Sequence, residues 1–130
     1  MPGAPAGRSA FWRLAYLQAM GEGRGNRQAS AYAVQIDAPR TDTPRAWARL
    51  ARRFGEALAA QAVPPVLSAE VAAEVRRGRH GLTVRIAVHI RAAGPGQAAS
   101  IAWSIFSAAA EDTGGWDLEA ASVTARPALP

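Results

Sequence analysis

The stretch LSAEVAAEVRRGRHGLTVRIAVHI, residues 67–90, decides the predicted fold. Apolar and polar residues alternate on both sides of its centre, which is the period of strands with one buried face. A turn centred on Gly78–Arg79 has glycine first, as a type II′ turn prefers. We therefore predict a β-hairpin in which apolar residues meet across the ladder, with the pairs Val75–Leu82, Ala73–Val84, Val71–Ile86 and Ala69–Val88.

Strand and helix patterns flank the hairpin on both sides. A first strand is predicted over 31–38 and ends at Pro39. Thr43 and Pro44 have the residue types of a helix cap and of a first helical residue, and the helix should stop before the prolines at 64–65. A second helix is predicted from about 97 to 111. A last strand is predicted over 116–126, with a bulge near 120–121 where the alternation slips.

The two halves of this pattern repeat each other. VQIDAPRTDTPRAWARLARRF (34–54) and VHIRAAGPGQAASIAWSIF (88–106) both place V-x-I-x-A before a turn and a Trp-containing helix. Two β-α-β units joined by a hairpin form a βαββαβ plait. The chain therefore resembles the ferredoxin-like α/β plait, an α+β fold with an antiparallel sheet of order 4-1-3-2 and two helices on one face. That fold hosts many unrelated activities, so the resemblance implies no function.

Residues 1–28 are predicted to precede this domain as a tail, a short apolar helix over 10–20 and a Gly-rich linker, and residues 29–127 to form the domain itself. Arg13 interrupts the apolar run and no clear cleavage site follows, so we expect no signal peptide. No run approaches the roughly 20 apolar residues that span a bilayer. The chain is therefore expected in the cytoplasm, away from membranes.

The composition narrows the possible chemistry. The net charge is +5, every Lys/Arg position is Arg, and Ala is abundant, which is typical of a GC-rich, bacterial coding sequence and weakens the charge as evidence for nucleic acid. The absence of Cys excludes disulfides, thiolate nucleophiles and thiolate metal sites. No spacing of His and carboxylates suggests a metal site, and no motif predicts a cofactor.

The second plait helix carries the main prediction about function. It has no charged residue between Arg91 and Glu111, and it shows two apolar stripes. One stripe can face the sheet, and a two-layer plait would expose the other. Something should cover that second stripe, either the N-terminal helix or another protein, most simply a second copy. The predicted interface therefore consists of Phe11, Trp12, Tyr16, Ala99, Trp103, Phe106 and Ala110.

The open face of the sheet is a second candidate surface. It should carry charged residues, among them Glu70 and Glu74 diagonal to Arg85, with alanines at 33, 72 and 87 between them. This face is either solvated, with weak ion pairs, or packed against the sheet of another copy.

Arginine clusters offer an alternative function. Arginine suits contacts with phosphate groups, which drive salt-dependent binding with little sequence preference. The strands lack the exposed aromatics on which RNA-binding plaits stack bases, so only weakly specific binding is predicted. The possible anion-binding residues are Arg45, Arg49, Arg52, Arg53, Arg76, Arg77, Arg79 and His80.

The evidence for catalysis is thin, and no catalytic residue is predicted. His89 has a strand position near acidic residues, where it could act as a general base. A lone strand histidine is more often simply exposed. We therefore predict a non-catalytic domain that acts through protein–protein association, as a homodimer or a subunit of an assembly. The alternatives are nucleic-acid binding through arginines and a small dimeric enzyme or ligand-binding protein.

Overall fold

The computed structural model describes residues 29–128 and shows an α+β architecture with one four-stranded antiparallel sheet and two helices. The predicted helix over 10–20 and the predicted tail and linker lie outside the described residues. The elements are β1 (Ser30–Pro39), α1 (Pro44–Ala60), β2 (Val66–Arg77), β3 (Gly81–Ala92), α2 (Pro95–Thr113), a short 3-10 helix (Leu118–Ala120) and β4 (Ser122–Pro127). The strand order β4-β1-β3-β2 is the predicted one, and both helices pack on one face of the sheet.

Local signals place α1 as predicted. The Thr43 side chain accepts a hydrogen bond of 3.1 Å from the Ala46 backbone nitrogen, and Pro44 occupies the first turn. Trp47, Phe54 and Leu58 recur at helical spacing and are buried against the sheet and α2. The cap therefore fixes where the helix begins, and the apolar stripe fixes which side of the helix packs on the sheet.

The β2–β3 hairpin confirms two of the four predicted pairs, Ala69–Val88 and Val71–Ile86. The outer two are wrong, because the register shifts by one between Val71 and Ala73 and the loop holds three residues instead of two. A second shift, between Val66 and Ser68, leaves Leu67 exposed while Val66 faces the core. A one-residue shift turns every later side chain to the opposite face.

The inner bulge moves Glu74 from its predicted place on the open face to the helix side. Glu74 pairs with the buried Val84, and its Oε2 accepts a hydrogen bond of 2.7 Å from the indole nitrogen of Trp47. Trp47 is almost fully buried, so its N–H needs an acceptor there. Val75 turns outward in exchange and is 39% exposed. The bulge thus exchanges an apolar contact for an acceptor to a buried tryptophan.

The last strand is shorter than predicted. Only Ser122–Pro127 pair with β1, because Asp117 caps the 3-10 helix and Trp116 makes a single bridge to Arg40. The Trp116 ring lies among the helix-side aromatics, with centroids 4.9 Å from Phe54 and 5.3 Å from Phe106. Because this ring packs against both helices, residue 116 does not continue the last strand as the alternation predicts.

Arg40 lies inside this aromatic cluster, with no exposed side-chain surface. Its Nε donates to Asp42 over 3.0 Å, and its Nη1 donates to the carbonyl of Gly114 over 2.6 Å. The guanidinium lies 4.8 Å from the Trp47 ring centroid and 4.5 Å from that of Trp116. It therefore connects the end of β1, the start of α1 and the end of α2.

Gly115 is placed directly against this arginine. Its φ is 79°, and a Cβ there would overlap the Arg40 guanidinium. Glycine is required at this position both for its backbone conformation and for the close approach.

The two ends of the described chain meet at one sheet edge. Tyr32 near the start pairs with Pro127, and the Ala128 nitrogen donates to the Ala31 carbonyl over 2.9 Å. Both ends therefore leave the domain from adjacent strands.

Candidate interaction surface

The sheet face opposite the helices forms an open surface at the centre of the molecule. Its side chains come from alternate positions of all four strands, and the central ones are only partly buried. In β2 the register shift places Ala73 opposite Arg85, where the alternation predicted Ala72. No helix within 29–128 packs on this side. The small residues at its middle are Ala33, Ala73 and Ala87, and we call the surface centred on them the open face.

An ion pair beside these alanines neutralises its own charges within the sheet. Arg85 donates to Asp37 through Nε over 2.9 Å and through Nη2 over 3.4 Å, and Gln35 donates to the same carboxylate over 3.1 Å. The hydrogen bond to Asp37, and then the charge of that carboxylate, raise the pKa of Arg85. The middle of the open face is therefore close to neutral.

The structure does not bring His89 and Asp37 together on this face. It is exposed, and its Nδ1 lies 3.2 Å from the hydroxyl of Ser68. It pairs with Ala33, whereas Asp37 pairs with Arg85 four residues away along β3, which is about 13 Å. This geometry offers His89 no carboxylate from Asp37.

A cleft of about 360 Å³ lies at the hairpin end of the open face. Sequence reasoning missed it, because its shape depends on the 3-10 helix and on a hairpin register that the alternation does not reveal. Its lining is Asp37, Pro39, Arg40, Arg77, Gly81, Leu82, Thr83, Ala120 and Ser122.

The predicted arginine cluster divides into two groups. Arg52 contacts Glu56, and Arg53 binds Asp112 through Nε over 2.8 Å, so these two are neutralised on α1. The hydrogen bond from Arg53 is the main cause that lowers the pKa of Asp112; loss of solvent opposes it, and the charge of Arg53 lowers the pKa further by the smallest amount. The others are exposed and form no ion pair within the described part of the chain: Arg45, Arg49, Arg76, Arg77, Arg79 and His80.

The second stripe of α2 is not left open as predicted. Phe106 is fully buried against Phe54 and Trp116, and Ala110 is 4% exposed. The expectation that a two-layer plait exposes this stripe is wrong for these two residues, and the Trp116 ring, which turns into the helix layer, packs on Phe106. Their part in an interface stays a prediction. Ala99 and Trp103 keep partial exposure. Phe11, Trp12 and Tyr16 lie outside the described residues, so their part in an interface stays a prediction.

Residues 29–128 contain neither a metal-binding cluster nor a membrane-spanning helix. No group of three or more His or carboxylate side chains is arranged to hold a metal ion. No helix has both the length and the hydropathy needed to cross a membrane.

Comparisons with known proteins assign no family or activity to this chain. No protein-family model matches the chain, and no curated protein does. Among solved structures, a hydantoinase/carbamoylase family amidase from Burkholderia ambifaria matches with a TM-score of 0.35 and 17% identity. The match covers 78% of this chain and 28% of that chain. A TM-score this low supports neither a shared fold nor a shared activity.

Proposed function

We propose that this chain is a ferredoxin-like plait that acts through self-association, with two copies meeting by their open faces. The observation that carries the proposal is the open face itself. It has small residues and an internally neutralised ion pair at its middle, and charged residues at its margins. A middle of small residues without net charge, within a polar rim, is close to the usual anatomy of a protein interface.

The size of this face is sufficient for a specific contact. Four strands about 4.8 Å apart, each contributing about eight residues at about 3.3 Å, span about 500 Å². Two copies would then bury about 1,000 Å², which is the lower bound for a specific interface. Burial on this scale fits a dimer of modest affinity.

The sheet edges are less suited to pairing between copies. β2 is an edge strand with two register shifts, and the other edge, β4, has only six residues and ends at Pro127. Bulges, short length and proline are the features by which natural edges avoid added strands. This favours the face over the edges as the contact surface.

Charges at the two edges favour one orientation. Glu70 on β2 and Thr124 on β4 lie at the same height along the strands, because Glu70 pairs with Ala87, Ala87 with Gln35 and Gln35 with Thr124. Arg126 is two residues further along β4 and lies on the same face as Thr124. With the two-fold axis parallel to the strands, each Glu70 lies within about 7 Å of the partner's Arg126. With the axis perpendicular to the strands, the two Glu70 carboxylates face each other and repel.

Light scattering after size exclusion tests the association. The full chain should elute as a dimer at micromolar concentration. Ala87→Arg should shift it to monomer, weakening association by at least about 100-fold, because burying a large charged side chain at the centre of the contact costs about 3 kcal/mol or more. Ala59→Arg, on exposed α1 surface, is the matched control and should leave the dimer intact. A strictly monomeric wild type, or an unchanged Ala87→Arg dimer, would contradict the proposal.

A charge exchange tests the orientation separately. Glu70→Arg and Arg126→Glu should each weaken the dimer, and the double variant should restore it. If both single variants dimerise like the wild type, the axis is wrong although the open face can still be the contact.

A second candidate is weakly sequence-specific nucleic-acid binding. The bond between Trp47 and Glu74 ties the start of α1 to the end of β2, so Arg45 lies at the same end as Arg76 and Arg79. These arginines are exposed and can contact phosphates.

A gel-shift series at rising salt tests this candidate. The double variant Arg76→Gln/Arg79→Gln should weaken binding of random-sequence DNA or RNA and flatten its salt dependence. Arg52→Gln/Arg53→Gln removes the same charge from arginines that are already paired, and it should have less effect. No shifted band at low salt would eliminate nucleic-acid binding.

A further inference from the structure

A glycine at the start of β3 lines the cleft at the hairpin end. A Cβ at Gly81 would lie 2.5 Å from the carbonyl oxygen of Arg77, so β3 begins without a side chain at this point of the open face. Pro39 pairs with Thr83 beside it, and Ser122 and Ala120 line the other side. The result is a concavity of about 360 Å³, which lies within the range of small-ligand sites.

Thr83 in the lining has a hydroxyl without a protein partner. The residue is 6% exposed, and its Oγ1 makes no hydrogen bond to any residue of the described range. Buried polar groups are nearly always hydrogen-bonded, and an exception calls for a ligand or a water molecule. The hydroxyl is therefore available to a molecule in the cleft.

The charges in the lining favour an anion. Arg77 forms no ion pair within residues 29–128, and this residue lines the cleft. Asp37 also borders the cleft, but its oxygens already accept from Arg85 and Gln35. The uncommitted groups are thus a cation and two hydroxyls, those of Thr83 and Ser122, which is the donor set that suits an oxyanion.

From this lining we propose that the cleft binds a small compound through a phosphate or carboxylate group. Arg77 supplies the charge, and the hydroxyls of Thr83 and Ser122 donate to the oxyanion. The middle of the site lies about 13 Å along β3 from Ala87, at the margin of the proposed dimer contact.

Calorimetric titration of the full chain with inorganic phosphate, and separately with succinate, tests the site and distinguishes the two oxyanion sources. Amide NMR shifts should map the bound probe to residues 81–83. Thr83→Val removes the hydroxyl at nearly constant shape and should weaken binding about tenfold, the factor that one hydrogen bond provides. Arg77→Gln should weaken it further.

The matched control is Arg79→Gln, which removes the same charge from the hairpin tip outside the lining. It should leave the affinity unchanged within about twofold. Three results would overturn the proposal: no saturable binding of either probe, equal weakening by Arg79→Gln, or unchanged affinity in Thr83→Val. Far-UV circular dichroism of each variant verifies that the fold is retained.

Discussion

Replacing Arg40 with methionine should destabilise the domain substantially, because the side chain is fully buried and its guanidinium is fully bonded. Methionine keeps most of the apolar stem but removes the guanidinium, which bonds Asp42 and the Gly114 carbonyl and lies between two indoles. The lost hydrogen bonds contribute about 1 kcal/mol each, and each cation–π contact about 0.5–1 kcal/mol. Asp42 is 28% exposed at its side chain and can regain water, so we expect a net loss of about 3 kcal/mol.

Urea denaturation followed by tryptophan fluorescence measures this loss. A domain of about 100 residues has a free energy of unfolding of about 5–15 kcal/mol, so the variant should remain measurable. The same loss corresponds to a Tm lower by about 12–24 °C. Arg40→Lys keeps the charge without the planar, forked donors and should cost about half as much. If the methionine variant falls within 1 kcal/mol of the wild type, the assigned role of the guanidinium is wrong.

Three other changes follow from the contacts described. Glu74→Ala should cost about 1–2 kcal/mol in urea unfolding and alter the emission of Trp47, because a buried indole N–H loses its acceptor; an unchanged emission spectrum would count against that bond. Because the pKa of Asp112 is lowered in the folded state, its contribution to stability is complete above the pKa of the unfolded chain and is lost as pH falls through the folded pKa. In Arg53→Gln, the pKa of this carboxyl, measured by NMR titration, should rise, and an unchanged pKa would contradict the pairing. Gly115→Ala should cost more than 2 kcal/mol by thermal melting, because it adds backbone strain and displaces the buried guanidinium; a Tm equal to the wild type would refute the close approach.

Local signals accounted for much of the fold. The cap at Thr43 and the apolar stripe of α1 depend on neighbours within two turns, so the sequence alone predicts them. The strand order and the inner hairpin pairs followed from alternation, since each apolar residue had one best partner. The residues of the open face, including Asp37 and Arg85, also came from this period of two.

The features that were missed depend on contacts distant in sequence. Nothing near Glu74 indicates that Trp47 requires an acceptor, and this bond accompanies the bulge that changes the register. Trp116 fits a strand pattern, but its ring packs against Phe54 and Phe106 of the two helices, so β4 begins later than the pattern predicts. Arg40 looks like an ordinary linker arginine until the ring packing is known. The cleft was missed for the same reason, because its shape depends on the shifted hairpin register and on the 3-10 helix.

The hydrogen bond between Ala128 and Ala31 has a consequence for the modular use of this domain. Because its entry and exit are neighbours, the unit can be inserted into a surface loop of a host protein without stretching either connection. The same closeness allows the ends to be joined by a short peptide and the chain reopened at the exposed tip around Arg79. Such a circular permutant would preserve every pair of the sheet while changing which strand is synthesised first.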